Sequence, residues 1–194
     1  MKKIMFNDKY GLTQAVLNGQ KTMTRRVIKL TPSDKEYLET AFDYDLREMV
    51  ILDRYSHYQN GEVVAIAQSY YDIEDDNYRK NIDEQIKRNP RLKRVFIYNG
   101  HLNKMYVRAK HMPHHIRITN IRIERLQDIS DADCIKEGVS TAETPDGLLY
   151  YTDASSQAYS TPQQAFAVLI DKVGSRGTWE SNPYVAVYSF ILAD

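Results

Sequence analysis

Four isoleucines within a short stretch constrain the fold more than any other feature of this sequence: Ile116, Ile118, Ile121 and Ile123. Alternation of apolar and polar residues predicts a strand with one buried face, because successive side chains of a strand point to opposite sides. The alternation holds within each pair and changes phase at Asn120, which predicts a β-bulge that keeps all four isoleucines toward the core. The chain therefore needs a sheet with a covered face.

Other segments supply the partners of this strand. Apolar runs at residues 63–67 and 184–192 predict further strands, and residues 49–52 and 105–107 predict two shorter ones. The charged segment 72–90 predicts a surface helix, and the box Thr161-Pro162-Gln163-Gln164 predicts the start of another. Strands interspersed with short helices indicate the α+β class. Without a linker or an internal repeat, we expect one domain over residues 1–194.

Composition excludes several classes of protein. The chain has 26 basic and 26 acidic residues, so a polycation that holds long nucleic acids along its whole surface is excluded. The single cysteine, Cys134, excludes an internal disulfide framework and a thiolate metal cage. No long apolar run follows the two N-terminal lysines or occurs later, which predicts a cytoplasmic protein with no membrane partner.

The segment Gly19-Gln20-Lys21-Thr22-Met23-Thr24-Arg25-Arg26 carries the strongest functional signal. It resembles the signature of the ASCH family, a branch of the PUA-like fold, in which a helix ends at glycine and a Lys-Thr-x-Thr-x-Arg-like strand follows. Three later segments also resemble that family. They are Gly61-Glu62-Val63-Val64, the stretch 126–138 with Cys134 and Glu137-Gly138, and the closing stretch 179–190.

The resemblance implies a PUA-like (ASCH) β-barrel with flanking short helices and a cleft beside the Lys-Thr-x-Thr loop. Segments near 30–60, 72–104 and 140–160 would then be insertions. It also implies a protein that binds RNA or acts on a modified nucleoside. One branch of the family hydrolyses the acetyl amide of N4-acetylcytidine with a lysine as proton acceptor, a threonine as nucleophile and a glutamate as proton donor. These roles fall on Lys21, Thr24 and Glu137.

The chemistry of these residues leaves catalysis open. A threonine hydroxyl is a poor nucleophile unless a neighbouring base takes its proton, and a lysine is a base near neutral pH only if its pKa is lowered. Arg25 and Arg26 would lower the pKa of Lys21, whereas Glu137 would raise it. A regular strand points Lys21 and Thr24 to opposite faces, so hydrolysis requires a turn just after Gly19 that brings Lys21 round, whereas a regular strand from Lys21 onward favours binding.

Three functions are therefore expected from the sequence. The first is binding of RNA or a modified nucleoside by Lys21 and Glu137, in a wet cleft, with the help of Thr22, Arg25, Arg26, Trp179 and Tyr184. The two aromatic residues flank Asn182-Pro183 and would stack on a base or pack in the core. The alternatives are an amidohydrolase of the N4-acetylcytidine type and a protein-interaction module whose degenerate cleft is filled by Tyr150 or Tyr151.

Two polar clusters outside the motif have ordinary explanations as well as functional ones. The three histidines of residues 111–115 lack spaced carboxylate or cysteine partners, so no metal is expected, and nothing calls for an organic cofactor. The run from Lys87 to Arg94 holds five basic residues in eight. It predicts either contacts with phosphates or a solvated helix end. The oligomeric state is left open.

Overall fold

The computed structural model describes residues 1–145 and 147–193, apart from the side chain of Tyr44. It confirms the α+β class. The helices are α1 (Leu12–Leu17), α2 (Pro32–Thr40), α3 (Tyr44–Tyr55), α4 (Tyr70–Ile73), α5 (Asp76–Arg88), α6 (Leu92–Tyr98), α7 (Asp131–Lys136) and α8 (Pro162–Val173). The strands are β1 (Lys3–Ile4), β2 (Met23–Val27), β3 (Val63–Ile66), β4 (His115–Arg125), β5 (Ser140–Thr144), β6 (Gly147–Tyr151) and β7 (Tyr184–Leu192).

A mixed five-stranded sheet has the order β1-β3-β4-β7-β2. Strands β1 and β3 are parallel, whereas β2 and β7 are antiparallel with Thr24 opposite Tyr188. Strands β5 and β6 form a separate antiparallel hairpin. No closed barrel is found among the described residues, so the PUA-like barrel stays a prediction.

The chain divides into two compact units. The first contains residues 1–6, 63–116 and 193, and its core includes Ala65, Ala67, Val107 and Met112. The second contains residues 7–62, 117–145 and 147–192, and a core cluster there is built on Leu38, Ile51 and Ile123. The single domain over residues 1–194 and the boundaries of the three insertions stay predictions.

The burial pattern of β4 follows the predicted change of phase. Ile116 and Ile118 are fully buried, Asn120 is exposed, and Ile123 is buried again at an odd-numbered position. Ile121 is half-buried. A strict alternation from Ile116 would have exposed Ile123, so the second pair of isoleucines changes phase as the sequence indicates.

Two of the short predicted strands are wrong. Residues 49–52 lie in α3, which begins where the Asp43 side chain accepts a hydrogen bond from the Leu46 amide at 3.0 Å. The less exposed residues of this helix, among them Glu48, Ile51 and Tyr55, recur at helical spacing and not at the spacing of a strand. Residues 104–106 form a 3-10 turn, so the predicted strand at 105–107 is absent.

Helices α7 and α8 both begin at side-chain caps, and Thr161 is the cap predicted for α8. Ser130 accepts a hydrogen bond from the Asp133 amide at the start of α7, and Thr161 accepts one from the Gln164 amide at the start of α8. In the described part of the chain, none of the helices has both the length and the apolar character that a membrane crossing needs.

Candidate functional site

A tight turn after α1 positions Lys21. Gly19 has φ 73°, and the amides of Gln20 and Lys21 both donate to the Ala15 carbonyl at 2.9 Å. A positive φ favours glycine, because a Cβ atom would be strained there. The chain then joins α7 through the Thr22 amide, which donates to the Lys136 carbonyl at 2.9 Å. Lys21 is thereby held against the end of α7.

Lys21 and Glu137 form a buried ion pair. The Lys21 side chain is 2% exposed, and its Nζ donates to the Glu137 carbonyl at 2.7 Å and to the Glu137 carboxylate at 2.6 Å. Glu137 ends α7, and Gly138 follows with φ 105°. A Cβ atom at Gly138 would lie 3.3 Å from Leu12 Cδ2 and 3.8 Å from Lys21 Cδ, so glycine also permits close approach of the lysine stem.

Arg25 extends the pair into β4. Its Nη1 donates to Glu137 Oε1 at 3.1 Å, while Nε and Nη2 donate to Glu124 Oε1 at 2.8 and 2.5 Å. The Arg25 side chain is fully buried, and its guanidinium carbon lies 6.0 Å from the centroid of the Phe166 ring. One carboxylate, that of Glu137, is therefore shared by two buried cations.

Further ion pairs continue toward the surface. Arg122 donates to Glu124 at 2.9 Å and to Asp133 at 2.6 Å, and Lys136 donates to Asp133 at 3.2 Å. Burial alone would raise the pKa of Asp133, but Lys136 and Arg122 outweigh it and lower that pKa. We call the whole set the charged network. Its members are Lys21, Arg25, Arg122, Lys136, Glu124, Asp133 and Glu137.

Burial and neighbouring charges act in opposite directions on the two innermost cations. Burial is the largest influence on Lys21 and lowers its pKa, Glu137 opposes this, and Arg26 and Arg25 lower it further. Burial alone would lower the pKa of Arg25 as well, but Glu137 and Glu124 outweigh it and raise that pKa. Of these two cations, only Lys21 therefore has a lowered pKa, which is the direction that a general base requires.

Thr24 lies away from this pair. Residues 23–27 form a regular strand against β7, so Thr24 points to the face opposite Met23 and Arg25. Lys21 and Arg25 both reach Glu137, which places them on that other face. None of the hydrogen bonds among the described residues involves the Thr24 hydroxyl. The structure brings Lys21 and Glu137 together, whereas the Thr24 side chain lies on the opposite face of β2.

The other predicted ligand contacts mostly serve the fold. The Thr22 carbonyl accepts the Phe190 amide at 2.9 Å. Trp179 packs edge-on against Phe166 with centroids 6.1 Å apart, and the Arg125 guanidinium lies 3.9 Å from the centroid of the Tyr184 ring. Arg25 is buried in the charged network, while Arg26 is half-buried on the face of Thr24.

A cavity of about 440 Å³ opens beside the ion pair, and we call it the α1 cavity. Gln20 and Gly138, the direct neighbours of Lys21 and Glu137, line it. Amide and hydroxyl groups line the rest, together with a carboxylate and a few apolar side chains. The polar contributors include Tyr10, Gln14, Asn18, Ser140, Thr141, Tyr151, Thr152 and Asp153. None of the predicted site residues lines it.

A second cavity of about 460 Å³ lies in the same unit, beside α3. Three carboxylates line it, those of Asp45, Glu48 and Asp53, together with Met49 and Tyr58 among others. Such a lining would repel a phosphate. The α1 cavity has one carboxylate in its lining, that of Asp153.

Neither cavity resembles a metal centre. Among residues 1–145 and 147–193, no group of three or more His, Cys, Asp or Glu side chains is placed to hold a metal ion. Comparisons with protein-family models, with curated proteins and with solved structures find no match to this chain.

Proposed function

We propose that this chain is an ASCH-type protein that binds a nucleoside, free or as an unpaired nucleotide of RNA, in the α1 cavity. The observation that carries the proposal is that this polar cavity is lined by Gln20 and Gly138, the sequence neighbours of the Lys21–Glu137 pair. The PUA-like barrel belongs to the same proposal, because the motif that resembles the family supplies Lys21 and Arg25.

The size and lining of the cavity suit a nucleoside. A volume of about 440 Å³ falls within the range typical of small-molecule sites. Its amide and hydroxyl groups can hydrogen-bond to the edges of a base and to ribose hydroxyls, and Tyr10 and Tyr151 offer rings for stacking. Neutral hydrogen-bonding groups around a small aromatic ligand are the kind of lining that such recognition needs.

The charged network would act as a support and not as a contact surface. Lys21 and Arg25 already donate to buried carboxylates, so their charges are not available to a phosphate. Lys21 donates to the carbonyl of Glu137, the residue before Gly138, which forms part of the cavity wall. A rigid wall lowers the entropy lost when a ligand binds. The ligand group inside the cavity is therefore a base with its sugar, and phosphates would remain outside.

Hydrolysis of an N4-acetylated cytidine is the second candidate. One observation favours it: burial lowers the pKa of Lys21, as a proton acceptor requires. The regular strand around Thr24 opposes it, because the nucleophile would face away from its base. Binding without hydrolysis is therefore the function that we propose first.

A protein-interaction module with a filled cleft has less support. Tyr151 lines the α1 cavity and remains 40% exposed, and the cavity stays open beside it. Tyr150 pairs through its backbone with Tyr159. Tyr151 therefore borders the cavity without closing it, and Tyr150 is not among the lining residues.

Titration calorimetry with cytidine, N4-acetylcytidine, uridine and adenosine tests the proposal. Thr141 lines the cavity from β5, so Thr141→Trp should block it while keeping a residue that strands accommodate well. Ala142→Trp is the matched control, because Ala142 is exposed on the same strand and does not line the cavity. We expect at least one nucleoside to bind, Thr141→Trp to lose about tenfold or more in affinity, and Ala142→Trp to bind normally. Equal binding by the two variants, or no binding of any nucleoside by the wild type, would refute the proposal.

A further inference from the structure

The zero net charge of the chain conceals a strongly asymmetric distribution. No Asp or Glu occurs between Glu84 and Glu124, a stretch that contains ten Lys and Arg residues. Five of these lie close together from the end of α5 into α6, and all five are exposed. They are Lys87, Arg88, Arg91, Lys93 and Arg94.

Most of these cations lack a partner in the described structure. Arg88 pairs with Glu84 at 3.2 Å, but Lys87, Arg91 and Lys93 form no ion pair with any described residue. A helix C-terminus attracts basic residues, which accounts for Lys87 and Arg88 at the end of α5. It does not account for the cations at the start of α6.

Basic residues are least favourable at the N-terminal end of a helix, and α6 carries them there. Arg91 is the residue before the helix, and Lys93 and Arg94 fall in its first turn, without an acidic side chain. The helix dipole is positive there and destabilises cations. A solvated helix end therefore explains the α5 residues only, whereas an external polyanion would explain both groups.

Exposed aromatic rings lie beside these cations. Tyr98 is 53% exposed and Tyr106 is 43% exposed, and their centroids are 5.2 Å apart in an edge-on arrangement. The guanidinium carbon of Arg94 lies 5.9 Å from the centroid of the Tyr98 ring. Both rings are therefore accessible to a ligand. Cations next to exposed rings match the two features of a single strand, its phosphates and its unstacked bases.

We infer that the surface formed by Arg91, Lys93, Arg94, Tyr98 and Tyr106, the α6 patch, binds a single-stranded nucleic acid. The cations contact phosphates, and a base stacks on the exposed Tyr98 or Tyr106 ring. A duplex is disfavoured, since its bases are already stacked on each other. The inference does not depend on nucleoside binding, because the α6 patch and the α1 cavity belong to different units of the chain.

Fluorescence anisotropy with labelled oligo-rU and oligo-dT of about 12 nucleotides tests the α6 patch. Arg94→Glu should weaken binding about tenfold or more at low salt, because it replaces a phosphate contact by a repulsion. Lys35→Glu is the matched control, since Lys35 is equally exposed on α2 of the other unit and the change in net charge is the same. We expect that control to lose less than about twofold, because Lys35 is not part of the α6 patch and only the net charge of the chain changes.

Stacking needs its own pair of variants. Tyr98→Ser should weaken binding about fivefold or more, whereas Tyr98→Phe, which keeps the ring, should bind almost normally. Equal losses in Tyr98→Phe and Tyr98→Ser, or in Arg94→Glu and Lys35→Glu, would overturn the inference. So would binding to vesicles with anionic headgroups but to neither oligonucleotide.

The two proposals fail separately in these experiments. If the protein binds oligonucleotides through the α6 patch but calorimetry detects no nucleoside binding, nucleoside binding in the α1 cavity is refuted and the α6 patch is supported. Arg94→Glu should leave the calorimetry of nucleosides unchanged. Binding of both oligomers supports recognition of the strand by charge and stacking, and preference for oligo-rU adds recognition of the 2′-hydroxyl.

Discussion

Replacing Lys21 by methionine removes one charge from the buried Lys21–Glu137 pair while keeping most of the side-chain length. The sequence predicted Lys21 in a wet cleft, where truncation would leave stability nearly unchanged. The side chain is 2% exposed and donates two hydrogen bonds to Glu137, so we expect a large loss instead.

The expected magnitude follows from the group left behind. Removing one partner of a buried ion pair typically costs about 3–5 kcal/mol, because the remaining charge has lost its compensation. Glu137 keeps a hydrogen bond from Arg25 at 3.1 Å, so we expect the lower end, about 3 kcal/mol. For a chain of this length, that corresponds to a fall in melting temperature of roughly 6–12 °C.

The assay is urea unfolding followed by circular dichroism, on the wild type, Lys21→Met, Glu137→Gln and the double variant. In the double variant Arg25 still has Glu124 as a partner, and no uncompensated charge remains. We therefore expect the double variant to be more stable than Lys21→Met, with a coupling free energy above about 1 kcal/mol. A loss below about 1 kcal/mol in Lys21→Met, or strictly additive losses, would refute the buried pair.

Two further predictions concern α7. The pKa of Asp133 lies below the ordinary value of 3.8, so its contribution to stability is present above that pH and is lost as the pH falls below it. The difference in unfolding free energy between wild type and Asp133→Asn should therefore be largest near neutrality and should close in acid, and a constant difference in an acid titration of stability would contradict this. Burial raises the pKa of Cys134 to about 12, so Ellman's reagent should not label the native protein at mildly alkaline pH, although it should label the unfolded chain. Rapid native labelling would contradict the burial of the thiol.

The sequence indicated the Lys21–Glu137 pair but not the lining of the α1 cavity. The motif and the Glu-Gly pair indicated Lys21 and Glu137, which lie 116 positions apart and are joined by a hydrogen bond of 2.6 Å. The partner of Arg25 is Glu124, 99 positions away on β4. No local pattern marks such a pair, because its contact exists only once the sheet has formed.

Local signals also decide which elements were predictable. The isoleucines of β4 and the capping residues of α7 and α8 carry strong periodic or capping patterns. Residues 32–55 carry only weak patterns. The β-branched and apolar residues of α3 suggested a strand there, because the packing of Ile51 against Leu38 is not visible in the sequence. The α1 cavity is lined by neutral polar residues from several elements, for which sequence spacing has no signature.

Equilibrium dialysis against N4-acetylcytidine, followed by chromatography of both compartments, tests the central claim most directly. It measures retention and turnover of the same compound. We predict that intact N4-acetylcytidine accumulates on the protein side, that Thr141→Trp abolishes the accumulation, and that no cytidine is formed. Release of cytidine that disappears in Thr24→Val would contradict the account and establish a hydrolase, and equal concentrations in both compartments would contradict binding of N4-acetylcytidine in the α1 cavity.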